Sequence, residues 1–165
     1  MLSIRRLEGR FQLRSNQWFP CDVDAIFPFF ADPSNLQSIT PDWLDFRIVS
    51  ELPPVMTTGL RLQYRLSLHG LPVFWETEIE CWKPPRMFVD VQRRGPYRLW
   101  RHEHRFEPKD GGTLMVDTVD YSMPFGPLAH ALFVKRDLVR IFSYRQQVLR
   151  ARFGAEPRPS QSVPV

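Results

Sequence analysis

The sequence predicts an α+β domain: a curved antiparallel sheet of about six to seven strands wrapped around one long C-terminal α-helix, with two short helices after the first strand. Three observations predict it. Residues 60–82 alternate apolar and polar side chains on both sides of Gly70-Leu71, the period of a half-buried hairpin. Residues 100–106 divide in the same way, with Trp100, His102, His104 and Phe106 on one face and Arg101, Glu103 and Arg105 on the other. Finally, Leu128, Ala131, Leu138, Ile141, Phe142, Leu149 and Phe153 form one stripe at helical spacing. A sheet with one apolar face buries it by gripping such a helix, which leaves room for a cavity between the two.

The elements follow in order. Phe11–Phe19 reads as the first strand, ended by Pro20 and Asp22. Asp22 or Asp24 can cap a short helix over Ala25–Phe30, which Pro28 limits to about two turns. Pro33 can open a second short helix through Ile39. A loop over Thr40–Leu44 leads to a short strand at Phe46–Val49, and Leu52–Gly59 is a second loop. In the hairpin, a turn at Gly70-Leu71 sets Arg65 opposite Glu76, Arg61 opposite Glu80, Leu66 opposite Trp75 and Leu62 opposite Ile79. The returning strand places Val73, Trp75, Thr77, Ile79 and Cys81 inward, and Phe74, Glu76, Glu78, Glu80 and Trp82 outward. Lys83–Arg86 turns into a strand at Met87–Gln92. Arg94-Gly95-Pro96 turns into the strand ending at Phe106. Lys109–Gly112 turns into Leu114–Met123, and Pro124 and Gly126 precede a helix over Leu128–Phe153.

At 165 residues and 43% hydrophobic, the chain is expected to form a single domain over residues 1–154, with a disordered tail over 155–165. The net charge of +4 is spread along strands and helix without a basic block, so nucleic acid is not an expected partner. Cys21 and Cys81 do not make a disulfide framework and read as free thiols of a reducing compartment. The first residues lack the apolar stretch of a signal peptide, and no window approaches the roughly 18 apolar residues of a membrane span. A cytoplasmic protein is the expectation.

Aromatics interleaved with two imidazoles resemble a pocket wall more than a solid core. If Gly95-Pro96-Tyr97 is a three-residue loop, Asp90 lies opposite His102. If the Asp110-Gly111 hairpin is symmetric, Asp117 lies opposite His104. His102, His104 and Asp117 are thus the candidate catalytic groups, with imidazoles oriented by carboxylates for acid–base work. Two other readings stand beside this one: a buried polar cluster whose members satisfy one another or orient a ligand, and a metal site of two His and one Asp. Two imidazoles two apart on a strand are common, and no local motif supplies a third ligand, so no metal is expected. Should Val89 and Val91 face inward instead, Asp90 and Gln92 leave the cluster.

Arg145 falls within the apolar stripe of the helix. It can meet a ligand carboxylate or phenolate, or snorkel to water or pair with an inward Asp. Tyr64, Trp75, Thr77, Asp90, Gln92, Trp100, His102, His104, Tyr121 and Arg145 are the candidate ligand-binding residues. Each aromatic among them has an equally ordinary place in a plain core. Glu76, Glu78 and Glu80 read as a solvated ion-pair face rather than catalytic carboxylates. There is no nucleophile elbow, phosphate-binding glycine loop or dinucleotide fingerprint, and no cofactor is expected.

One set of motifs carries a family resemblance. It comprises Phe29-Phe30-Ala31-Asp32-Pro33-Ser34-Asn35-Leu36, Trp82 with Pro84-Pro85, Gly95-Pro96 followed by Trp100-x-His102-x-His104-x-Phe106, Arg136-Asp137-Leu138, and Phe142-x-Tyr144-Arg145. Over about residues 10–153 the chain resembles the START/Bet v 1-like (SRPBCC) helix-grip superfamily, which includes polyketide cyclases, lipid carriers and plant ligand-binding proteins, and within it uncharacterised bacterial members. The resemblance implies binding or carrying of a small, mostly hydrophobic ligand such as a lipid, a quinone or an aromatic polyketide. It implies as an alternative a polyketide cyclase or dehydratase using His/Asp chemistry, and by analogy makes Trp43 and Met56, in the two long loops, candidate gates. A protein-interaction module is the third reading, with Phe74, Val89 and Val91 building an exposed patch. One superfold hosts unrelated functions, so the resemblance marks fold more sharply than activity.

Overall fold

The computed structural model describes residues 1–124 and 130–154. The expected tail over 155–165 and the stripe position Leu128 lie outside the described residues, as does the side chain of Ala131.

Eight antiparallel strands form one sheet in the order β1-β2-β8-β7-β6-β5-β4-β3. They are β1 (Leu2–Leu7), β2 (Arg10–Phe19), β3 (Arg47–Ile48), β4 (Arg61–Leu68), β5 (Leu71–Lys83), β6 (Met87–Arg94), β7 (Leu99–Lys109) and β8 (Gly112–Ser122). The count exceeds the expected six to seven because Leu2–Leu7 pairs along β2 from Leu2↔Ser15 to Leu7↔Arg10. Its charged Arg5-Arg6 pair masked the alternation, as suits an edge strand.

Helix α1 (Val23–Ala31) follows β2, with Asp22 at its N-cap position but making no side-chain cap bond. Pro28 lies inside it and costs one backbone hydrogen bond. The second short helix is a 3₁₀ segment at Pro33–Ile39, capped by Asp32, whose carboxylate accepts from Ser34 N. A further 3₁₀ turn spans Asp42–Leu44. Helix α2 (Lys135–Phe153) is entered through a π-helical turn at His130–Val134 and buries Leu138, Phe142 and Leu149.

Two details of the β4–β5 hairpin differ from the sequence reading. The turn residues are His69 and Gly70, with φ of 52° and 79°. A two-residue hairpin turn of this hand needs positive φ at both positions, and Leu71 would tolerate it worse than His69. The register therefore runs Arg61↔Glu78, Leu62↔Thr77, Gln63↔Glu76, Tyr64↔Trp75 and Leu66↔Val73, two residues from the expected pairing. A two-residue shift preserves the faces. The second difference does not. The β5–β6 register slips between Ile79 and Cys81, leaving Glu80 as a bulge. Beyond it the alternation reverses, and Trp82, expected outward, packs on Phe27 and Phe88.

Three apolar clusters surround the space between sheet and helix. Phe19, Ile26, Phe27, Phe88, Phe106, Met115 and Leu149 join α1 and the end of α2 to the sheet. Phe11, Leu13, Val119, Tyr121, Leu138 and Phe142 close the start of α2 on β2 and β8. Met56, Leu62, Tyr64 and Ile79 hold the long loop against β4 and β5.

The outer face is tied by charge pairs. Arg61 and Arg93 meet Glu78, Arg101 meets Glu80, and Gln63 donates to Glu76. Glu76 is only 8% exposed, so it is less solvated than its outward position suggested. Val89 and Val91 also point outward yet are 1% and 7% exposed. In register they lie beside Glu103, Glu78 and Arg101, long side chains whose stems cover apolar surface. With Phe74 under the Arg94 guanidinium, the expected interaction patch is absent among these residues.

Candidate functional site

Antiparallel pairing sets Asp90 of β6 opposite His102 of β7, and His104 of β7 opposite Asp117 of β8. These are the two registers inferred from the loop lengths, and all four side chains lie on the concave face. Hydrogen bonds run diagonally. His102 Nε2 lies 3.1 Å from Asp117 Oδ1, and His104 Nε2 lies 2.9 Å from Asp90 Oδ2. The remaining ring nitrogens face the other carboxylate: His102 Nδ1 is 3.7 Å from Asp90 Oδ2, and His104 Nδ1 is 2.9 Å from Asp117 Oδ1. This last approach misses the hydrogen-bonding angle, so it is a charge contact and leaves His104 Nδ1 without a hydrogen-bond partner.

The rings are fixed from several sides. The two imidazoles lie against each other with their planes tilted by 35°, centroids 3.7 Å apart. Phe88 stacks on His104 at 4.1 Å, while Phe142 of α2 lies 5.7 Å from His102. Thr77 Oγ1 lies 3.3 Å from Asp90 Oδ1 and 3.2 Å from the Val91 carbonyl, and its single proton serves one of them at a time.

Burial and charge oppose each other here. Burial raises the Asp117 carboxyl, but hydrogen bonds with His102 and His104 and their charges outweigh it and hold Asp117 well below the usual carboxylate range. Asp90 is lowered in the same way: burial is outweighed by His104, His102 and the more distant Arg145. Burial and the adjacent His104 charge lower His102. His104 is raised, because its two carboxylate contacts outweigh burial. His104 therefore holds its proton more readily than an ordinary histidine and His102 less readily, in a coupled set that titrates jointly.

A partly open cavity of about 220 Å³ lies between sheet and α2. Its wall is mostly apolar, including Phe30, Leu36, Phe46, Leu66, Ile79 and Ile141, while Asp90, His102, His104 and Arg145 bring polar groups to one region. Arg145 Nε is buried with no hydrogen-bond partner, and the guanidinium carbon lies 5.6 Å from the Phe142 ring centroid.

Of the candidate residues, Tyr64, Trp75, Thr77, Asp90, Trp100, His102, His104 and Arg145 line this cavity. Asp117 lies behind the imidazoles, 3% exposed, and not on the wall. Gln92 is used in the β6–β7 loop, where its amide donates to the Tyr97 carbonyl at 2.7 Å and accepts from Tyr97 N. Tyr121 is fully buried beside Phe11, with its hydroxyl 3.0 Å from His130 Nε2. Both were expected on the wall; a strand's period sets which face a residue takes, not what lies above it. Met56 lines the cavity, whereas Trp43 is 42% exposed under the Arg140 guanidinium. Sequence reasoning missed Tyr97, which packs against Trp75 and Trp100 on the wall from outside β7. It also missed Phe88, although its i−2 spacing from Asp90 carried the signal.

Among the described residues, three that could share a metal ion come together: Asp90, His102 and His104, with ligand atoms all within 4.8 Å of one another. No helix among the described residues is long and apolar enough to cross a membrane.

The family model for polyketide cyclase/dehydrase and lipid transport matches residues 19–142. No curated protein matches the sequence. Among solved structures, protein Ms6760 from Mycobacterium smegmatis superposes with a TM-score of 0.65 at 16% identity, covering 92% of this chain and 97% of its own. Ginseng major latex-like protein 151 from Panax ginseng gives 0.64 at 13% identity, covering 88% and 98%. Protein CV1439 from Chromobacterium violaceum gives 0.69 at 11% identity, covering 91% and 100%. At these identities the likeness is one of fold, the helix-grip arrangement.

Proposed function

The chain belongs to the polyketide cyclase/dehydrase and lipid transport family, and from that membership we propose that it binds and carries a small, mostly hydrophobic ligand in the cavity between sheet and α2. The observation that carries this reading is the cavity itself, a mostly apolar chamber in which Asp90, His102, His104 and Arg145 bring polar groups together. The apolar body of the guest lies against Trp75, Trp100 and the aliphatic wall. Its polar end faces His104, Asp90 and Arg145. Arg145 suits an oxygen anion there, because its buried Nε has no protein partner among the described residues.

A second reading is favoured by one feature. His102 and His104 reach the cavity wall with carboxylates at hydrogen-bond distance, an arrangement suited to moving protons in a cyclase- or dehydratase-type reaction. It predicts turnover with a bell-shaped pH dependence, whereas a carrier predicts binding that survives His104→Ala.

Native mass spectrometry of the purified protein, with extraction of whatever is bound, tests the carrier. The expected result is a stoichiometric hydrophobic passenger, lost in Trp100→Ala and weakened in Arg145→Leu. An empty protein that gains no thermal stability from lipids, quinones or aromatic polyketides would overturn it.

A further inference from the structure

We propose that His102 Nδ1, His104 Nε2 and Asp90 Oδ2 form a binding site for one divalent transition-metal ion of the zinc class, with Asp117 bracing the imidazoles from behind. The sequence reading expected no metal because no local motif supplies a third ligand. The fold supplies one from the neighbouring strand, through the Asp90↔His102 register.

The geometry suits an ion. Nitrogen and oxygen ligands about 2.0–2.1 Å from a tetrahedral or octahedral metal lie roughly 2.9–3.4 Å from one another. Asp90 Oδ2 lies 2.9 Å from His104 Nε2 and 3.7 Å from His102 Nδ1, and each of the three residues offers a ligand atom within 4.8 Å of the other two. Two imidazoles and one carboxylate are a donor set that zinc and its neighbours accept.

Counting hydrogens points the same way. A neutral imidazole has one N–H. The second nitrogen of each ring, His102 Nε2 and His104 Nδ1, lies within 3.1 Å of Asp117 Oδ1. His102 Nε2–H donates to Asp117 Oδ1, which leaves the His102 Nδ1 lone pair facing Asp90 Oδ2 at 3.7 Å. A proton on His104 Nε2 serves Asp90 but leaves that lone pair facing the carboxylate, whereas a divalent cation takes both imidazoles and the carboxylate at once. Metal-ligating histidines commonly donate their other N–H to a carboxylate, and Asp117 stands where that partner belongs. The triad faces the cavity, which leaves a coordination position for water or for an oxygen of a guest. Arg145 approaches Asp90 from α2 and lowers its carboxyl; its charge works against a second cation. This proposal does not rest on the carrier reading, since an ion can load whether or not the cavity holds a guest.

The test is calorimetric titration of chelator-treated protein with Zn²⁺, together with the visible spectrum of the Co²⁺-loaded form. One ion per chain is expected, with micromolar or tighter affinity and with cobalt absorption bands distinct from aqueous Co²⁺. His102→Gln and Asp90→Asn should each weaken binding at least about tenfold, and Asp117→Asn by about 10- to 100-fold. Arg145→Leu should tighten it. His69→Ala, which removes the exposed His69–Asp137 pair on the far hairpin, should leave it unchanged. The proposal is overturned if folded wild-type protein shows no saturable uptake at submillimolar zinc, or if uptake follows His69 rather than the triad. Should the triad variants fail to fold, the wild-type cobalt spectrum decides: bands like those of the aqueous ion overturn the site.

Discussion

The two faces of β7 carry charged pairs of nearly equal length in opposite surroundings. Outside, Arg101 meets Glu80 and Arg105 meets Glu103, both at 2.8 Å. Inside, His102 meets Asp117 at 3.1 Å and His104 meets Asp90 at 2.9 Å. The outer side chains are mostly a quarter to a half exposed, the imidazoles 6%. Water screens the outer pairs and would solvate each partner if the other were removed. No such replacement exists inside. Equal distances therefore carry unequal consequences, because removing one buried partner strands the other.

The sharpest way to break the comparison is Asp117→Ala, which leaves two buried imidazoles without their shared carboxylate. The expected loss is about 3–5 kcal/mol of stability by urea denaturation; a loss as small as that of an outer pair would mean that water enters behind the rings.

Acid is the next largest perturbation. Asp90 and Asp117 are lowered in the fold. Their stabilisation is fully present above the unfolded carboxylate value of about 3.9 and drains as pH falls through the lower folded values. The imidazoles contribute in opposite senses. His104, raised, stabilises the fold below its unfolded value of about 6.5, an effect lost as pH rises through the folded one. His102, lowered, disfavours folding as pH drops from about 6.5 toward its folded value. Denaturant midpoints should thus change little near neutrality and fall steeply in acid, and Asp117→Asn should flatten the acid limb.

A finer measurement is the imidazole titration itself. Nitrogen-detected NMR should find His104 charged above, and His102 neutral below, the ordinary histidine range. His104→Gln should move His102 upward, because it removes a neighbouring cation. The smallest effect belongs to the outer face: Arg101→Ala should cost under about 1 kcal/mol, and less in high salt.

Much of this arrangement is legible in the sequence. Alternation along Trp100–Phe106 set the faces of β7, and two short turns set the partners of both histidines. The diagonal bonding was not readable, since it depends on side-chain rotation within a correct register. Arg145 could be placed on the apolar stripe of α2, but not within range of Asp90, because no pattern in a helix states what it packs against. Gln92 and Tyr121 have the right parity and the wrong neighbours. Trp82 failed for a different reason: a bulge leaves no mark in composition, and it inverts every residue that follows.

That bulge at Glu80 has a consequence for how the chain tolerates insertion and deletion. Most single-residue losses within a strand swap its two surfaces. At position 80 the extra residue already separates two phases, with Ile79 inward before it and Trp82 inward after it. Deleting Glu80 would leave Trp82 two residues from Ile79, the spacing of one face of a regular strand, and so keep it inward on Phe27 and Phe88. A loss that would invert β5 at its other positions is absorbed at this one, where it removes only the outer pair with Arg101.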